Sequence, residues 1–322
     1  MQLRIPLAAL LLAGNLAAAN WVLIRTVDGE SVEGQTNLRT LKLSGAGAPA
    51  TLPIEKVLSV HSAAPASEFE AGRITAGLAA IQSTDRKARD QAVEELTAIG
   101  LPVLTPLLET LKDTDQHEPR PLYRLFERLI PGYADGFDRT LALIRVPGPD
   151  ALRAQLPAGS VDVRTASGEA MSLPWAKIRS LAVRQNRTRR TFQVHSLKHS
   201  TQIEYLDSGV VLAPSSKLDS TARGFVRLSW QTDSWASDPN GLTKPGSPAY
   251  KSHLFDGHPF GALVGRAGAA GEVFFLGAKQ SKSGLSGRLR LAVNDNRHWQ
   301  NNLGAFLVTL TVTDAYDLGD PQ

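Results

Sequence analysis

Residues 287–312 read GRLRLAVNDNRHWQNNLGAFLVTLTV, and this stretch decides the fold of the C-terminal third of the chain. Apolar and polar residues alternate on both sides of a polar segment at residues 294–302. Alternation with a period of two predicts two antiparallel strands joined by a loop. Residues 201–314 contain no convincing helical pattern, and Gly, Ser, Asp and Asn separate their short alternating runs. We therefore predict a jelly-roll-like β-sandwich over residues 196–322.

An internal repeat precedes this sandwich. Each copy has a Leu-Ile-Arg strand, a turn that contains Gly, and a Leu-Pro-x-x-Lys motif, which begins at Leu52 in the first copy and at Leu173 in the second. Alternation around Gly-rich turns predicts short antiparallel strands, so residues 20–66 and 137–195 are expected to be two small β units. One copy is too small to bury much of a core by itself, so the copies either pair into one barrel or stand side by side. They bear a weak resemblance to SH3-like modules.

Residues 67–136, between the two copies, are predicted to be a helical insert. Apolar residues recur at helical spacing over residues 88–99, with Ser83 or Thr84 placed to cap the start and Gly100 to end the helix. This helix and the next resemble a HEAT-type repeat, whose surface commonly binds proteins; a plain helical lid is the other interpretation. The predicted fold class is therefore multidomain α+β, with repeated small β units flanking a helical insert and followed by the sandwich.

Composition and the N-terminus indicate an exported protein. The chain has 322 residues, a net charge of +4 at pH 7 and no Cys, so disulfides and thiolate metal sites are excluded. Its dense basic cluster, RQNRTRR at residues 184–190, is interpreted as a solvated linker or strand edge and not as a nucleic-acid interface. Residues 1–19 combine one positive charge, an apolar run and three final Ala residues, which is typical of a cleaved signal peptide. We expect a periplasmic or secreted protein without an integral membrane segment after cleavage.

The sequence gives no support for catalysis. Motifs for a nucleophilic Ser, a zinc protease, a Walker phosphate loop or a dinucleotide site are missing from it. His195 and His199 have i,i+4 spacing, which suits zinc only on a helix, and their neighbours are typical of strands. Glu94 and Glu95 lie on a predicted solvent-exposed helix face. We therefore predict that the protein is not an enzyme.

Several ordered motifs in the C-terminal third carry a family resemblance. They are DPNGLT at residues 238–243, GALVGRAG at 261–268, and VND followed by NN-x-G-x-F-x-V at 293–308. Through these motifs, residues 202–313 resemble the PA-IL-like family of calcium-dependent galactophilic bacterial lectins. The resemblance implies a β-sandwich that binds a carbohydrate or glycoconjugate with the help of calcium.

The resemblance also implies a set of calcium ligands. In the family, the Asp at the Val-Asn strand end and two adjacent Asn residues ligate the ion, and these positions match Asp295, Asn301 and Asn302. Backbone carbonyls from the loop and from an earlier strand complete the shell, and the corresponding residues are His298 or Trp299, and Leu228. Calcium prefers six to eight oxygen ligands of these kinds. The bound ion then accepts two vicinal sugar hydroxyls.

Sugar contacts are assigned to residues around this loop. Besides Asp295 and Asn301, the candidates are Trp299, Trp230 and His253. An exposed indole can stack against the apolar face of a sugar, which makes Trp299 the best aromatic candidate. The family's His and Gln that contact galactose have no secure counterpart in this sequence. His253 lies in the corresponding region but is not aligned with either of them.

The loop departs from the family in ways that leave a second interpretation open. It is one residue shorter between Asp295 and the Asn pair, and it carries the bulky Arg297, His298 and Trp299. In the alternative, Asp295 and the Asn pair cap a hairpin by hydrogen bonding to its backbone. The protein would then be a non-catalytic envelope scaffold whose lectin-like fold no longer binds sugar.

Overall fold

The computed structural model describes most of the chain, but not the N-terminal segment predicted as a signal peptide. None of the helices in the described part is long and apolar enough to cross a membrane. The described residues are 20–45, 49, 51–113, 120–129, 140–147, 151–202, 204–228, 235–242, 254–255, 257–295 and 301–318.

The two repeat copies contain the same series of short strands. In the first copy these are β1 (Asn20–Thr26), β2 (Ser31–Thr36), β3 (Thr40–Lys42), β4 (Thr51–Pro53) and β5 (Ser59–His61). In the second copy they are β6 (Ala142–Arg145), β7 (Ala151–Ala154), β8 (Ser160–Thr165), β9 (Ala170–Pro174) and β10 (Ile178–His195). Position by position, β1 corresponds to β6 and β5 corresponds to β10.

The copies are intertwined. The first strand of each copy pairs with the last strand of the other: β1 with β10, where Val22 lies opposite Val183, and β6 with β5. The exchange continues at β2, which pairs with β8, and at Ser44, just after β3, which bridges to Gln155, just after β7. Apolar residues from both copies therefore share one buried core, and the copies do not stand side by side.

The Leu-Pro-x-x-Lys motif has the same structure in both copies. Pro53 and Pro174 precede 3₁₀ turns at Ile54–Lys56 and Trp175–Lys177, with backbone angles of φ −56°, ψ 135° and φ −59°, ψ 140°. The first residue of each turn is buried in the shared core. Trp175 thus takes the place in the second copy's motif that Ile54 has in the first.

Four helices lie between the copies in the described residues. They are α1 (Glu68–Ile81), α2 (Arg86–Ile99), α3 (Leu104–Asp113) and α4 (Arg120–Leu129). Asp85 caps α2 by accepting a hydrogen bond from the Lys87 backbone N–H (2.9 Å), so neither Ser83 nor Thr84 is the capping residue. Ser83 instead belongs to the turn that follows α1, where its N–H donates to the Ala80 carbonyl. Gly100 ends α2 at φ +78°, a conformation that Gly adopts without strain.

A buried ion pair attaches α1 to the β unit. The Arg179 side chain on β10 donates to both carboxylate oxygens of Glu70 at 2.7 and 2.6 Å, and to the carbonyls of Ala64 and Pro65. Glu70 also accepts from the backbone N–H of Ser67, which completes a capping box at the start of α1. One carboxylate thus fixes both the beginning of the helix and its position on the sheet.

The C-terminal part of the described chain is built from strands. They are β11 (Leu206–Arg227), β12 (Ala236–Ser237), β13 (Leu254–Phe255), β14 (His258–Pro259), β15 (Leu263–Ala267), β16 (Val273–Phe275), β17 (Lys279–Ser283), β18 (Gly287–Val293) and β19 (Leu303–Asp317). β18 and β19 are the two strands predicted from residues 287–312. They do not pair with each other, because β11 lies between them and pairs with both, so they do not form a hairpin.

Three long strands connect the repeat unit with this C-terminal part. β10 begins in the repeat core and then pairs with β19, which pairs on its other side with β11. The main sheet has the order β16-β15-β18-β11-β19-β10-β1-β2-β8-β9. The two halves of β11 pair with different strands, β18 and then β17, so the antiparallel sheet curls around a second apolar core. This architecture is consistent with a β-sandwich.

Helix α2 packs against the sandwich through charged pairs. Asp90 accepts from Arg266 at 2.8 Å, and Glu94 accepts from Arg290 at 3.3 Å. Glu94 therefore contacts another part of the protein, although the sequence predicts a solvent-exposed helix face at this position.

Candidate functional site

Asp295 and Asn302 meet at one end of the sandwich. Asp295 follows β18 and Asn302 precedes β19; each of these strands pairs with β11, and their ends bring both residues to the same edge. The side-chain N–H of Asn302 donates to an Asp295 carboxylate oxygen, and also to the Ser196 carbonyl at 3.2 Å. Asp295 is 1% exposed and Asn302 is 2% exposed. The structure therefore brings these two predicted residues into direct, buried contact.

Thr201 holds the backbone of Asp295 in place. Its hydroxyl accepts from the Asp295 N–H at 3.0 Å and donates to the Asp295 carbonyl at 3.1 Å. The segment around Ser200 runs parallel to the end of β18, where Thr201 N–H donates to the Val293 carbonyl. Because both backbone groups of Asp295 are satisfied, its carboxylate is held in a defined direction. Sequence reasoning missed Thr201 and Ser196, since no spacing signal connects them with a loop about a hundred residues away.

Asn294 connects two of the three motifs that carry the family resemblance. Its side chain donates to the carbonyls of His258 and Pro259 at 2.9 and 3.1 Å. Its backbone carbonyl accepts from the N–H of Gly261, the first residue of GALVGRAG, at 2.7 Å. Gly261 adopts φ +77°, and a Cβ there would approach Ser237 and Leu228 to less than 3 Å. The Asn of the Val-Asn-Asp sequence therefore supports the fold, while the Asp lies at the candidate site.

The oxygen donors at this edge fit a hard cation. The Oδ1 atom of Asn302 is buried and has no hydrogen-bond partner among the described residues. A buried acceptor without a partner costs about 1–3 kcal/mol, and coordination to a cation would remove that cost. Asn301, which is half-buried, directly precedes Asn302 and carries a second amide. One carboxylate with amide oxygens is a donor set that calcium accepts in proteins.

The other predicted site residues are only partly covered by the structure. Leu228 lies at the same end of the sandwich, where it is buried and its side chain adjoins Gly261. The remaining four predicted residues lie outside the described residues; they are His298, Trp299, Trp230 and His253.

An exposed apolar patch lies beside the Asp295–Asn302 pair. We call Leu197, Phe225 and Leu303 the apolar patch; Phe225 is 63% exposed and Leu303 is 51% exposed. Phe225 lies opposite Ala305 on β19, and Leu303 is two residues before Ala305. Because residues two apart on a strand face the same side, Phe225 and Leu303 share the outer face of the β11–β19 pair. Leu197 and Leu303 directly follow Ser196 and Asn302 in the chain. Sequence reasoning missed Phe225 as a candidate, because a Phe in an alternating strand is usually part of the core.

A conventional metal cluster is not found in the described part of the chain. No group of three or more His, Cys, Asp or Glu side chains there could hold an ion. His195 and His199 lie at the end of β10 and in the following turn, where the His199 ring accepts from the His195 backbone N–H at 3.1 Å. Any cation at the sandwich edge must therefore be held largely by amide and backbone oxygens.

A cavity of about 250 Å³ lies apart from this edge, where the repeat unit, α2 and the C-terminal strands meet. The imidazole of His61 lines it beside Arg145 and Arg288. Burial, together with the positive charges of these two Arg residues, lowers the pKa of His61 from 6.5 to about 3. The imidazole is therefore neutral at physiological pH.

This low pKa predicts an acid-dependent loss of stability. Below pH 6.5 the unfolded chain binds a proton at His61, while the folded protein does not do so until about pH 3. The free energy of unfolding should therefore fall by up to about 1.4 kcal/mol per pH unit in this window. We expect His61→Gln, which has no titrating group, to remove this contribution. Urea unfolding of the unmodified protein and of His61→Gln at pH values from about 7.5 to about 4.5 measures this contribution. If the unfolding free energies of the two proteins change in parallel with pH, the prediction is contradicted.

Comparison with known proteins gives a limited likeness among solved structures. No protein-family model matches the chain, and no curated protein matches it. Among solved structures, the chain is similar to a protein described as "EclA N-terminal domain; PllA-like lectin", with 18% sequence identity and a TM-score of 0.27. The match covers 40% of this chain and 98% of that one. We therefore base the functional conclusion on the side-chain geometry of the sandwich edge.

Proposed function

We propose that the C-terminal sandwich binds a carbohydrate or glycoconjugate with the help of a calcium ion held by Asp295, Asn301 and Asn302. The observation that carries the proposal is the buried Asp295 carboxylate in contact with an amide whose own oxygen has no partner among the described residues. Backbone carbonyls, including that of Leu228, and water or sugar hydroxyls would supply the remaining ligands. The proposed activity is binding and not catalysis.

The surroundings of this edge suit a sugar. When bound, calcium coordinates vicinal hydroxyl groups and so distinguishes their stereochemistry. The exposed ring of Phe225, in the apolar patch, offers a surface on which the C–H face of a sugar can stack. The same edge therefore presents polar oxygen donors next to an apolar surface, which is the combination that a carbohydrate needs. We further propose that the protein acts in the periplasm or outside the cell.

One observation favours the alternative, a scaffold that no longer binds sugar. The Asp295–Asn302 contact and the Asn302–Ser196 hydrogen bond link the ends of β18, β19 and β10 without any ion. A purely structural contact needs nothing more. In that case the helical insert is the surface that we propose for a protein partner.

A glycan array distinguishes the two functions. We expect the unmodified protein to bind a defined set of glycans in millimolar calcium. In excess chelator the binding signal should fall by a factor of at least about ten. Asp295→Ala should lose the calcium-dependent signal, because it removes the single charged ligand. Asp28→Ala is the matched control, since Asp28 is an exposed acid on the repeat unit. Equal binding with calcium and with chelator, or no glycan binding at all, would favour the scaffold.

A further inference from the structure

The cavity at the junction of the repeat unit, α2 and the C-terminal strands is lined by residues from all three parts. β1 contributes Arg25, α2 contributes Thr97 and Ala98, and β18 contributes Arg288. Its volume of about 250 Å³ is that of roughly eight water molecules at liquid density. The cavity is therefore large enough for a small organic molecule.

Positive charge dominates the polar part of the cavity. Three guanidinium groups line it, from Arg25, Arg145 and Arg288, against one carboxylate, that of Glu94. The Glu94 carboxylate already accepts from Arg290, and Arg288 donates to Asp207 at 2.7 Å. The lining therefore has an excess of cationic groups over carboxylates.

Arg25 is the least compensated of these cations. No carboxylate in the described part of the chain forms an ion pair with it, and no hydrogen bond to its guanidinium is found there. Burial lowers the pKa of Arg25, and the positive charge of Arg73 lowers it further, while the negative charges of nearby Glu side chains oppose both effects. An anion in the cavity would therefore be stabilised by a charge that the protein itself leaves poorly solvated.

The neutral His61 adds no charge to the cavity and offers a hydrogen-bond acceptor. The Ser59 hydroxyl donates to the Leu318 carbonyl at 3.3 Å, so it accepts from His61 Nε2 at 3.2 Å. This assignment places the proton of the neutral ring on Nε2 and leaves Nδ1 as an acceptor. Nδ1 lies toward Gly100, another residue that lines the cavity.

The remaining walls are apolar. They are formed largely by aliphatic side chains, including those of Leu23, Leu101, Leu129, Leu143 and Val211. A small inorganic anion would leave these walls in contact with water or empty space. A ligand with one anionic group and an apolar body would satisfy both parts of the lining.

We propose that this cavity is a binding site for a small amphipathic carboxylate, whose head group contacts Arg25 and whose apolar body lies against the aliphatic walls. Guanidinium and carboxylate groups form paired, charge-assisted hydrogen bonds, which favours a carboxylate head group. A ligand here would contact the repeat unit, the helical insert and the sandwich together, and so would hold these parts in one arrangement. This site is independent of the calcium site at the sandwich edge.

Titration calorimetry of the full chain with octanoate tests the proposal, with octanol as the neutral probe of similar size. We expect saturable binding of octanoate at one site per chain, and octanol to bind at least about tenfold more weakly. Arg25→Met, which keeps the apolar stem, should weaken octanoate binding by a similar factor and leave octanol unchanged. Arg164→Met, at an exposed Arg on β8, should change neither.

Ala98→Phe provides a second variant that fills the cavity without removing a charge, and it should abolish binding of both probes. The comparison of octanoate with octanol needs only the unmodified protein, so it stands even if a variant fails to fold. The proposal is overturned if octanoate does not bind, if octanol binds equally well, or if Ala98→Phe retains the affinity of the unmodified protein. Because Asp295→Ala leaves this cavity intact, it should bind octanoate normally whether or not it binds calcium.

Discussion

Replacing Glu70 with Gln is expected to lower the free energy of unfolding by about 3–5 kcal/mol, because it leaves the buried Arg179 guanidinium without its counter-charge. Both side chains are almost fully buried, with exposed fractions of 3% and 1%. The change also weakens the capping box at the start of α1. For a protein of this size, the melting temperature should fall on the order of 10 °C, which differential scanning calorimetry measures.

Glu68→Gln is the matched control for this prediction. Glu68 lies in the same first turn of α1 as Glu70, but its side chain is exposed. Its replacement should change the unfolding free energy by no more than about 0.5 kcal/mol. Similar losses for the two variants would mean that the Glu70–Arg179 pair does not determine how α1 is attached to the sheet.

Replacing Phe306 with Ala is expected to cost about 3–5 kcal/mol of unfolding free energy, through lost burial and the cavity left behind. Phe306 is fully buried in the core of the C-terminal part. Phe225 on the neighbouring strand β11 is largely exposed, so Phe225→Ala should change stability by no more than about 0.5 kcal/mol. Urea unfolding of the two variants compares them directly, and a large loss for Phe225→Ala would show that its ring is part of the core.

The alternation and the turn residues are sufficient to predict the strands, but not how they pair between the repeat copies. The pattern around residues 287–312 predicts β18 and β19 because apolar residues alternate along them; β19 buries one face over most of its length, whereas β18 is buried on both faces from Leu289 to Val293. By contrast, β1 and β6 have nearly the same Leu-Ile-Arg sequence. Nothing local in that sequence selects the last strand of the other copy as the partner. Partner choice depends on packing in a shared core, and only the three-dimensional structure reports it.

Long-range polar contacts likewise could not be predicted from the sequence. Arg179 pairs with Glu70 across 109 positions, and Thr201 bonds to Asp295 across 94. No periodicity connects such residues, since each depends on the way separate elements pack. The cap of α2 shows a local limit of the same kind: Ser83, Thr84 and Asp85 are all suitable capping residues, and the turn after α1 uses Ser83.

The candidate site could be predicted in part, because the family resemblance implies Asp295 and Asn302 as calcium ligands from the sequence alone. The Asn of the Val-Asn-Asp sequence carries the structural function of the motif, and the Asp lies at the candidate site. Phe225 could be found only from its exposure in the folded protein. Sequence alone does not show that this outward face of β11 is uncovered.

Direct calcium titration by calorimetry tests the central claim most plainly. For the unmodified protein we predict saturable binding of one calcium ion per chain, in the micromolar to millimolar range expected for a site with a single carboxylate. Asp295→Ala should show no such binding, while Asp28→Ala should bind as the unmodified protein does. No calcium binding by the unmodified protein, or the same binding by Asp295→Ala, would contradict the calcium site and leave the Asp295–Asn302 contact with a structural role alone.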